Sequence, residues 1–406
     1  MDYFERAKLA SHKLKIATTE QKNNALEQIA KAIQSNKSLI LKSNEKDIEI
    51  AKANGVTNML DRLLLTEQRI EGIVSDIYKV ISLPDPIGET IEQWTTDNGL
   101  IIKKTRIPFG VIGVVYESRP NVTVDVSVLC IKTGNVCLLK GGKDAKYTNE
   151  TLVEIIRNAI SGTLEQDSVI LLPSEREWVN KMITARGYVD VVVPRGSKGL
   201  INAVVENAKV PVIETGAGVC HIYVEKSADF DLALKVLVNA KVQRPSVCNS
   251  VETLLVDKAI ADEFLPLAKA ELEKYGVVLR GDDSVKCISV QPLLQDGYYT
   301  EYDSLNISVK VVDGLEQAIS HILKYGTGHS ETIITTDNVI AERFMNSLDS
   351  ACVYLNASTR FTDGGCFGFG AELGISTQKL HARGPLGLKE MTSYHYKIFG
   401  NGQVRK

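Results

Sequence analysis

Val111-Ile112-Gly113-Val114-Val115-Tyr116, followed after a helix-length interval by Val136-Cys137-Leu138-Leu139-Lys140, is the stretch that decides the fold. Each run is apolar at consecutive rather than alternate positions, so a strand made from it must be buried on both faces. β-Branched residues dominate the first run, and the interval between the two is long enough for a crossover helix. Runs of the same kind recur at 169–172, 189–193 and 210–213, with amphipathic segments between them. Continuous apolar strands joined in this way predict an α/β domain with a parallel sheet, the dinucleotide-binding type of architecture. No Gly-x-Gly-x-x-Gly follows any of these strands, so the usual phosphate fingerprint is absent.

Toward the N-terminus the texture is helical up to about Leu83, with Ala25, Ile29, Ala32 and Ile33 recurring at three- and four-residue steps until Pro84-Asp85-Pro86 ends the pattern. Residues 91–96 and 100–107 then flank Asp97-Asn98-Gly99, a strong hairpin signal. A hairpin outside the main sheet has edges that must be covered, and this one is read as an oligomerisation arm, with the tail from about Gly370 packed against it. Beyond the first sheet, a second strand series begins near His221 and continues at 251–256, 277–279, 332–335 and 353–355.

At 406 residues the chain is long enough for two or three domains. Its 44% hydrophobic and 24% charged residues are ordinary globular values, which excludes disordered and fibrous classes. A formal net charge of -3 weighs against nucleic acid as a partner. The N-terminus has no apolar signal core, and no run approaches the ~20 apolar residues of a membrane span. These features predict a cytoplasmic protein with neither a nucleic-acid nor a membrane partner.

Seven cysteines at scattered spacing show no Cys-x-x-Cys pair, which argues against both a disulfide framework and a structural zinc, and no cluster has metal-ligand spacing. Cys130, Cys137, Cys220, Cys287 and Cys352 lie in or beside apolar runs and read as core. Cys366 sits in the polar loop Thr362-Asp363-Gly364-Gly365-Cys366 but lacks an adjacent cation. Cys248, in Gln243-Arg244-Pro245-Ser246-Val247-Cys248-Asn249-Ser250, has both a polar turn and a fixed positive charge nearby. Such a setting favours the thiolate, and Cys248 is the candidate nucleophile.

Gly110-Val111-Ile112-Gly113, Thr133-Gly134-Asn135-Val136, Glu214-Thr215-Gly216-Ala217-Gly218 and the Cys248 turn occur in an order that resembles the aldehyde dehydrogenase superfamily. Longer runs are similar to its branch that reduces an acyl phosphate: Tyr116-Glu117-Ser118-Arg119-Pro120-Asn121, Tyr325-Gly326-Thr327-Gly328-His329, Asn356-Ala357-Ser358-Thr359-Arg360 and His381-Ala382-Arg383-Gly384-Pro385. The resemblance implies an aldehyde dehydrogenase-like fold. A Rossmann-type NADP-binding domain would cover 1–90 and 109–217, an α/β catalytic domain 218–369, and a small β oligomerisation domain 91–108 and 370–406. It also implies NADPH-dependent reduction of L-glutamate 5-phosphate to L-glutamate 5-semialdehyde and phosphate through a cysteine thioester, a step of L-proline biosynthesis. A homo-oligomer is expected, and the glutamate 5-kinase that makes the unstable acyl phosphate is the expected partner.

The same resemblance implies roles for individual residues. Asn121 would join the Cys248 N–H as an oxyanion donor, although the superfamily's Pro-Trp-Asn is replaced here by Ser118-Arg119-Pro120-Asn121. Glu214 matches the glutamate that activates water in aldehyde-oxidising relatives, a task a reductase does not need. Lys140 matches a lysine on the adenosine ribose, and Lys143 in place of an acidic residue suits a 2′-phosphate. Gly196, Ser197 and Gly199 resemble the loop under the pyrophosphate, and Glu301 the glutamate on the nicotinamide ribose. The substrate's anionic groups call for arginine, and Arg119, Arg244 and Arg360 stand in motif loops, with His329 as a further substrate contact. Three alternatives stay open on the sequence: a generic NAD(P)-dependent dehydrogenase oxidising a small semialdehyde, a cysteine hydrolase without a nicotinamide cofactor, and a non-catalytic dinucleotide-binding protein.

Overall fold

The computed structural model describes residues 2–55 and 60–405. Helices Tyr3–Leu14, Thr19–Ser35, Lys37–Ala53 and Glu67–Ser82 open the chain. The first two begin on capping boxes, Asp2 with Glu5 and Thr18 with Gln21, which satisfy backbone N–H groups that no helical turn can reach. The hairpin follows as β1 (Thr90–Thr95) and β2 (Ile101–Pro108), its turn closed by Gly99 at φ +83°.

Strands β3 (Val111–Tyr116), β4 (Val136–Gly141), β5 (Val169–Leu171) and β6 (Val191–Arg195) form a parallel sheet in the order β5-β4-β3-β6. One face buries Val111, Val115, Val136, Leu138 and Ile170 against Phe4, Ala7, Ala10 and Leu14 of the first helix. Residues 210–213, expected as a fifth strand, make only an isolated bridge from Val212 to Val192. Pro211 has no N–H to give to a ladder, and its carbonyl instead accepts from the Val192 N–H at 2.8 Å.

The second series forms a parallel sheet of seven strands: β7 (Cys220–Val224), β8 (Val251–Asp257), β9 (Val278–Gly281), β10 (Gln291–Pro292), β11 (Asn306–Val312), β12 (Ser330–Ile334) and β13 (Cys352–Leu355), in the order β10-β9-β11-β8-β7-β12-β13. Ile222, Val224, Leu254 and Val256 pack with Leu237 and Phe264 on one face, while Tyr223 and Leu255 pack with Ile322 and Phe344 on the other. This is the two-sided burial that consecutive apolar residues require. The sequence reading passed over β11, a central strand whose Ile307, Val309 and Val311 alternate with polar residues.

A short antiparallel pair, β14 (Ile375–Ser376) and β15 (Gly384–Pro385), precedes β16 (Thr392–Phe399), which pairs antiparallel with β2 along its full length. Two compact units result: Met1–Thr215 with Gly368–Gly374 and Leu386–Lys406, and Gly216–Phe367 with Ile375–Pro385. The hairpin and β16 belong to the first. Among the described residues no helix is long and apolar enough to cross a membrane.

Candidate active site

In the second unit several candidates lie at the amino-terminal edge of the sheet, one to three residues before strands. Gly218 lies before β7, Cys248 before β8, and His329 before β12. The half-buried Cys248 stands in a turn between helix Phe230–Val242 and β8, where the Ser250 N–H closes on the Val247 carbonyl at 2.9 Å. The neck of this turn is tied twice. Ser250 Oγ donates to the Ala240 carbonyl at 3.2 Å, and Lys241 Nζ donates to the Val251 carbonyl at 3.0 Å and to Glu252 Oε2 at 2.7 Å. Lys241 and Glu252 are both fully buried; burial, the larger effect, pushes the Glu252 carboxyl up to about 8 and lowers the Lys241 ammonium, while each partner opposes the other's shift.

Gly218 explains why its motif ends in glycine: a Cβ there would lie 1.5 Å from the Cys248 carbonyl oxygen. The Gly218 N–H donates to Glu301 Oε1 at 2.7 Å, which places Glu301 beside the glycine that backs the cysteine turn. Beneath it Cys220 Sγ donates to the Cys248 carbonyl at 3.2 Å, and burial raises the Cys220 thiol well above its ordinary value. All seven cysteines are thiols; Cys130, Cys137, Cys220 and Cys352 are buried, whereas Cys287, expected in the core, is only partly covered.

Two of the three arginines belong to this unit. Arg360 donates through Nη1 to Asn249 Oδ1, and through Nε to Gln243 Oε1 at 3.2 Å. Asn249 in turn donates to the Thr362 carbonyl at 2.8 Å, so the residue after the cysteine joins the turn to the loop that carries Arg360. Partial burial and then the repulsion of Arg244 lower the Arg360 pKa, while Asp363, Cys248 and Cys366 act in the opposite sense, which puts these charges in one neighbourhood. His329, expected at the substrate, is wholly buried. Its Nδ1 lies 2.8 Å from Ser330 Oγ and 3.7 Å from Cys220 Sγ, and the chain of bonds continues through Thr362 Oγ1 to the Tyr354 hydroxyl. Burial pushes its pKa down to about 4, so the ring is neutral at neutral pH. His221 is likewise structural, with Nδ1 3.0 Å from Glu331 Oε2.

In the first unit the candidates lie at the opposite, carboxyl-terminal edge of the sheet. The backbone turns out of β3 at Ser118, φ +34°, and delivers Arg119 and Asn121 to the start of helix Pro120–Lys132. Asn121 Nδ2 donates to Asp125 Oδ2 at 2.9 Å, and burial pushes the Asp125 carboxyl up to about 7. Lys140, the fifth residue of β4, donates to the carbonyls of Gly141 at 2.9 Å and Ser174 at 3.1 Å. Its pKa is lowered, first by burial, with Glu175 opposing and Lys143 reinforcing that shift. Lys143 is exposed, as are Gly196, Ser197 and Gly199 in the turn after β6 that opens helix Lys198–Asn207. Glu214 is half-buried at the end of this unit's main segment, outside any strand.

Sequence reasoning missed four participants: Glu117, Glu175, and the Lys241 and Glu252 pair. Glu117 lies inside the Tyr116-to-Asn121 motif, but nothing local says that its carboxylate accepts the Ser197 N–H at 2.8 Å. The acidic Glu175 just after β5 was a readable signal, since it stands at the same edge as Lys140. Among the described residues no group of acidic, histidine and cysteine side chains could hold a metal ion.

Comparison with known proteins supplies the family. Residues 2–289 match the aldehyde dehydrogenase family model. The chain is 50% identical over 407 residues to a gamma-glutamyl phosphate reductase of Caldanaerobacter subterraneus, covering 99% of this chain and 98% of the relative. It is 49% identical to one from Nautilia profundicola with 100% coverage of both. The crystal structure of gamma-glutamyl phosphate reductase from Thermotoga maritima superposes with a TM-score of 0.97 at 46% identity, covering 100% of this chain and 99% of that one. An acetylating aldehyde dehydrogenase from Geobacillus thermoglucosidasius shares the fold, with a TM-score of 0.70 at 18% identity over 100% of this chain and 97% of that chain. The chain belongs to the aldehyde dehydrogenase family and, within it, to the gamma-glutamyl phosphate reductases.

Proposed function

We propose that the protein reduces L-glutamate 5-phosphate to L-glutamate 5-semialdehyde with NADPH, the second step of L-proline biosynthesis from glutamate. The observation that carries this reading is the cysteine turn: a half-buried thiol on a clasped turn, with Arg360 hydrogen-bonded to Asn249, the residue next to it. The Cys248 thiolate attacks the acyl carbon, a sulfur–carbon bond forms, and the carbon–oxygen bond to phosphate breaks with its electron pair leaving on phosphate. No strong acid is needed, because phosphate is already a good leaving group. NADPH supplies the hydride that takes the resulting thioester to the aldehyde level. Collapse of the thiohemiacetal then returns the electron pair to sulfur and frees the semialdehyde.

Each tetrahedral species bears an oxyanion, and the Cys248 N–H is the donor built into the turn. Asn121, which donates to Asp125, is the side chain proposed as the second oxyanion donor. Arg119, Arg244 and Arg360 are the anion-binding candidates for the substrate's phosphate and carboxylate. His329, being buried and neutral, positions Cys220 and the Thr362 loop rather than touching substrate. Glu214 has no assigned step, since hydrolysing the thioester would waste it.

The first unit fits the cofactor. Ser197 presents a helix N-terminal N–H that already holds an anionic oxygen, and Gly196 leaves a cradle that a Cβ would fill. Lys140 and Gly196, Ser197 and Gly199 would hold the adenosine and pyrophosphate and Lys143 the 2′-phosphate; Glu301, which belongs to the second unit, is the residue proposed for the nicotinamide ribose. Exposed Trp94, Tyr394, Tyr396 and Phe399 on the β1-β2-β16 sheet support a homo-oligomer formed through that sheet. A glutamate 5-kinase is the proposed partner, because the acyl phosphate it makes is short-lived, and the proposed compartment is the cytoplasm.

The test couples the protein to a glutamate kinase with glutamate, ATP and NADPH. Oxidation of NADPH is expected, and Cys248→Ala should lower it by ~10⁴-fold or more while cofactor binding persists. Turnover retained by the variant would remove Cys248 from the mechanism. In the reverse direction, aldehyde oxidation that proceeds without inorganic phosphate would favour a generic dehydrogenase.

A further inference from the structure

Strand β3 has β4 on one side and β6 on the other, because the chain builds β4 and β5 outward in one direction and then returns to lay β6 against the opposite side of β3. In an open parallel sheet this reversal leaves a crevice at the carboxyl ends of the two strands that part, here β3 and β6, and ligands bind there. Glu117 is the first residue after β3; Gly196 and Ser197 are the first after β6. The two strand ends are tied at backbone level, with the Glu117 N–H donating to the Arg195 carbonyl at 3.2 Å. The Glu117 side chain then crosses the crevice. Its Oε2 accepts the Ser197 N–H at 2.8 Å, and its Oε1 lies 3.3 Å from Ser197 Oγ. A Cβ on Gly196 would stand 2.5 Å from the same Oε2, so the glycine is what lets a negatively charged oxygen come this close to the backbone.

A carboxylate at this point takes what an anionic ligand would take: a hydroxyl, a backbone N–H and the positive end of helix Lys198–Asn207. The mechanism above makes no use of Glu117, yet the residue sits where the proposed cofactor pyrophosphate belongs. Two anions cannot share one N–H and one cradle without strong repulsion.

We propose that Glu117 competes with the cofactor's pyrophosphate for the Ser197 N–H and the space at Gly196, so that its charge weakens cofactor affinity. The inference rests on assigning Gly196 and Ser197 to the pyrophosphate and goes beyond it by naming a competitor. Its benefit to the reaction is release. A reductase must exchange oxidised for reduced cofactor in every cycle, and a tethered carboxylate ready to refill the seat keeps the exchange reversible.

The test is equilibrium binding of NADPH, followed by nicotinamide fluorescence, to the full chain and to two variants. Glu117→Gln keeps an oxygen for the Ser197 N–H but no charge, and should lower Kd by roughly 2- to 30-fold, the range of a charge at a helix N-terminus. Gly196→Ala puts a methyl group in the cradle and should raise Kd. Opposite movement of the two variants, with apo thermal midpoints near that of the parent chain, establishes the competition. An unchanged or higher Kd in Glu117→Gln overturns it, since Glu117 would then be a spectator or a ligand to the cofactor. No NADPH binding by the parent chain, or no effect of Gly196→Ala, overturns the seat assignment itself and the competition with it.

Discussion

The turn after β6 in the first unit and the cysteine turn before β8 in the second are held in contrasting ways. Around Gly196 and Ser197 the residues are exposed, and the restraint is one side chain, Glu117, reaching from the neighbouring strand end. Around Cys248 the restraints are buried: the Lys241 and Glu252 pair, Ser250 on Ala240, Asn249 on Thr362, and the backbone of Gly218 pressed on the cysteine's own. The difference fits the two tasks proposed for these turns. A nucleophile must stay in place, because displacement of the attacking atom by about 1 Å can cost ~100-fold in rate. A cofactor seat must open and close, so its contacts lie at the surface, where water can replace them cheaply.

The sharpest way to break this contrast is to cut the buried clasp. Lys241→Met leaves Glu252 buried without its counter-charge and should destabilise the protein by roughly 3–5 kcal/mol in urea unfolding. Lys241→Met combined with Glu252→Leu removes both charges and should recover most of that loss. If the single variant proves no costlier than the double, the pair does not hold the neck of the turn.

Acid tests the same contrast with less force. Burial holds His329 down to about 4, below the ordinary 6.5, so the folded state prefers the neutral ring. Its contribution is therefore complete above pH ~6.5 and fades as the pH falls toward 4, by at most ~3 kcal/mol. His329→Gln should flatten the stability profile over that window, though only in part, because His321 is pushed down to about 3 by the same cause. Asp125 in the first unit works the other way. Burial raises it to about 7, so its penalty is full above pH 7 and disappears as the pH falls toward 4. Asp125→Asn should thus steepen the acid loss that remains. Unfolding midpoints at pH 5 and pH 7.5 that shift equally for both variants would contradict these assignments.

The smallest effect belongs to the exposed turn. Ser197 caps its helix through Oγ and the Leu200 N–H at 3.4 Å, a long contact at the surface. Ser197→Ala should cost about 1 kcal/mol or less in thermal unfolding. A loss comparable to that of Lys241→Met would mean that the two turns are equally braced.

Much of this molecule was legible in the chain. The runs at 111–116 and 136–140 became β3 and β4 because a strand buried on both faces needs apolar residues at every position, a requirement met locally. Asn98-Gly99 turned the hairpin for an equally local reason, the positive φ of Gly99. Where local signals conflicted the reading slipped: Pro211 denied 210–213 a ladder, and the alternation in β11 disguised a central strand. Cys248 could be proposed from residue type and setting, a thiol in a polar turn beside a cation, whereas the arginines and the glycine loop were proposed from the family resemblance.

Partnership was decided by the tertiary structure alone. That Glu117 meets Ser197, that Asn249 answers to Thr362, and that His329 meets Cys220 all depend on contacts 80 to 113 residues apart in the chain. Periodicity fixes which face of a strand is apolar, because that depends on near neighbours. The charge and direction of a polar side chain depend on which distant groups replace its water, and only the folded arrangement supplies them.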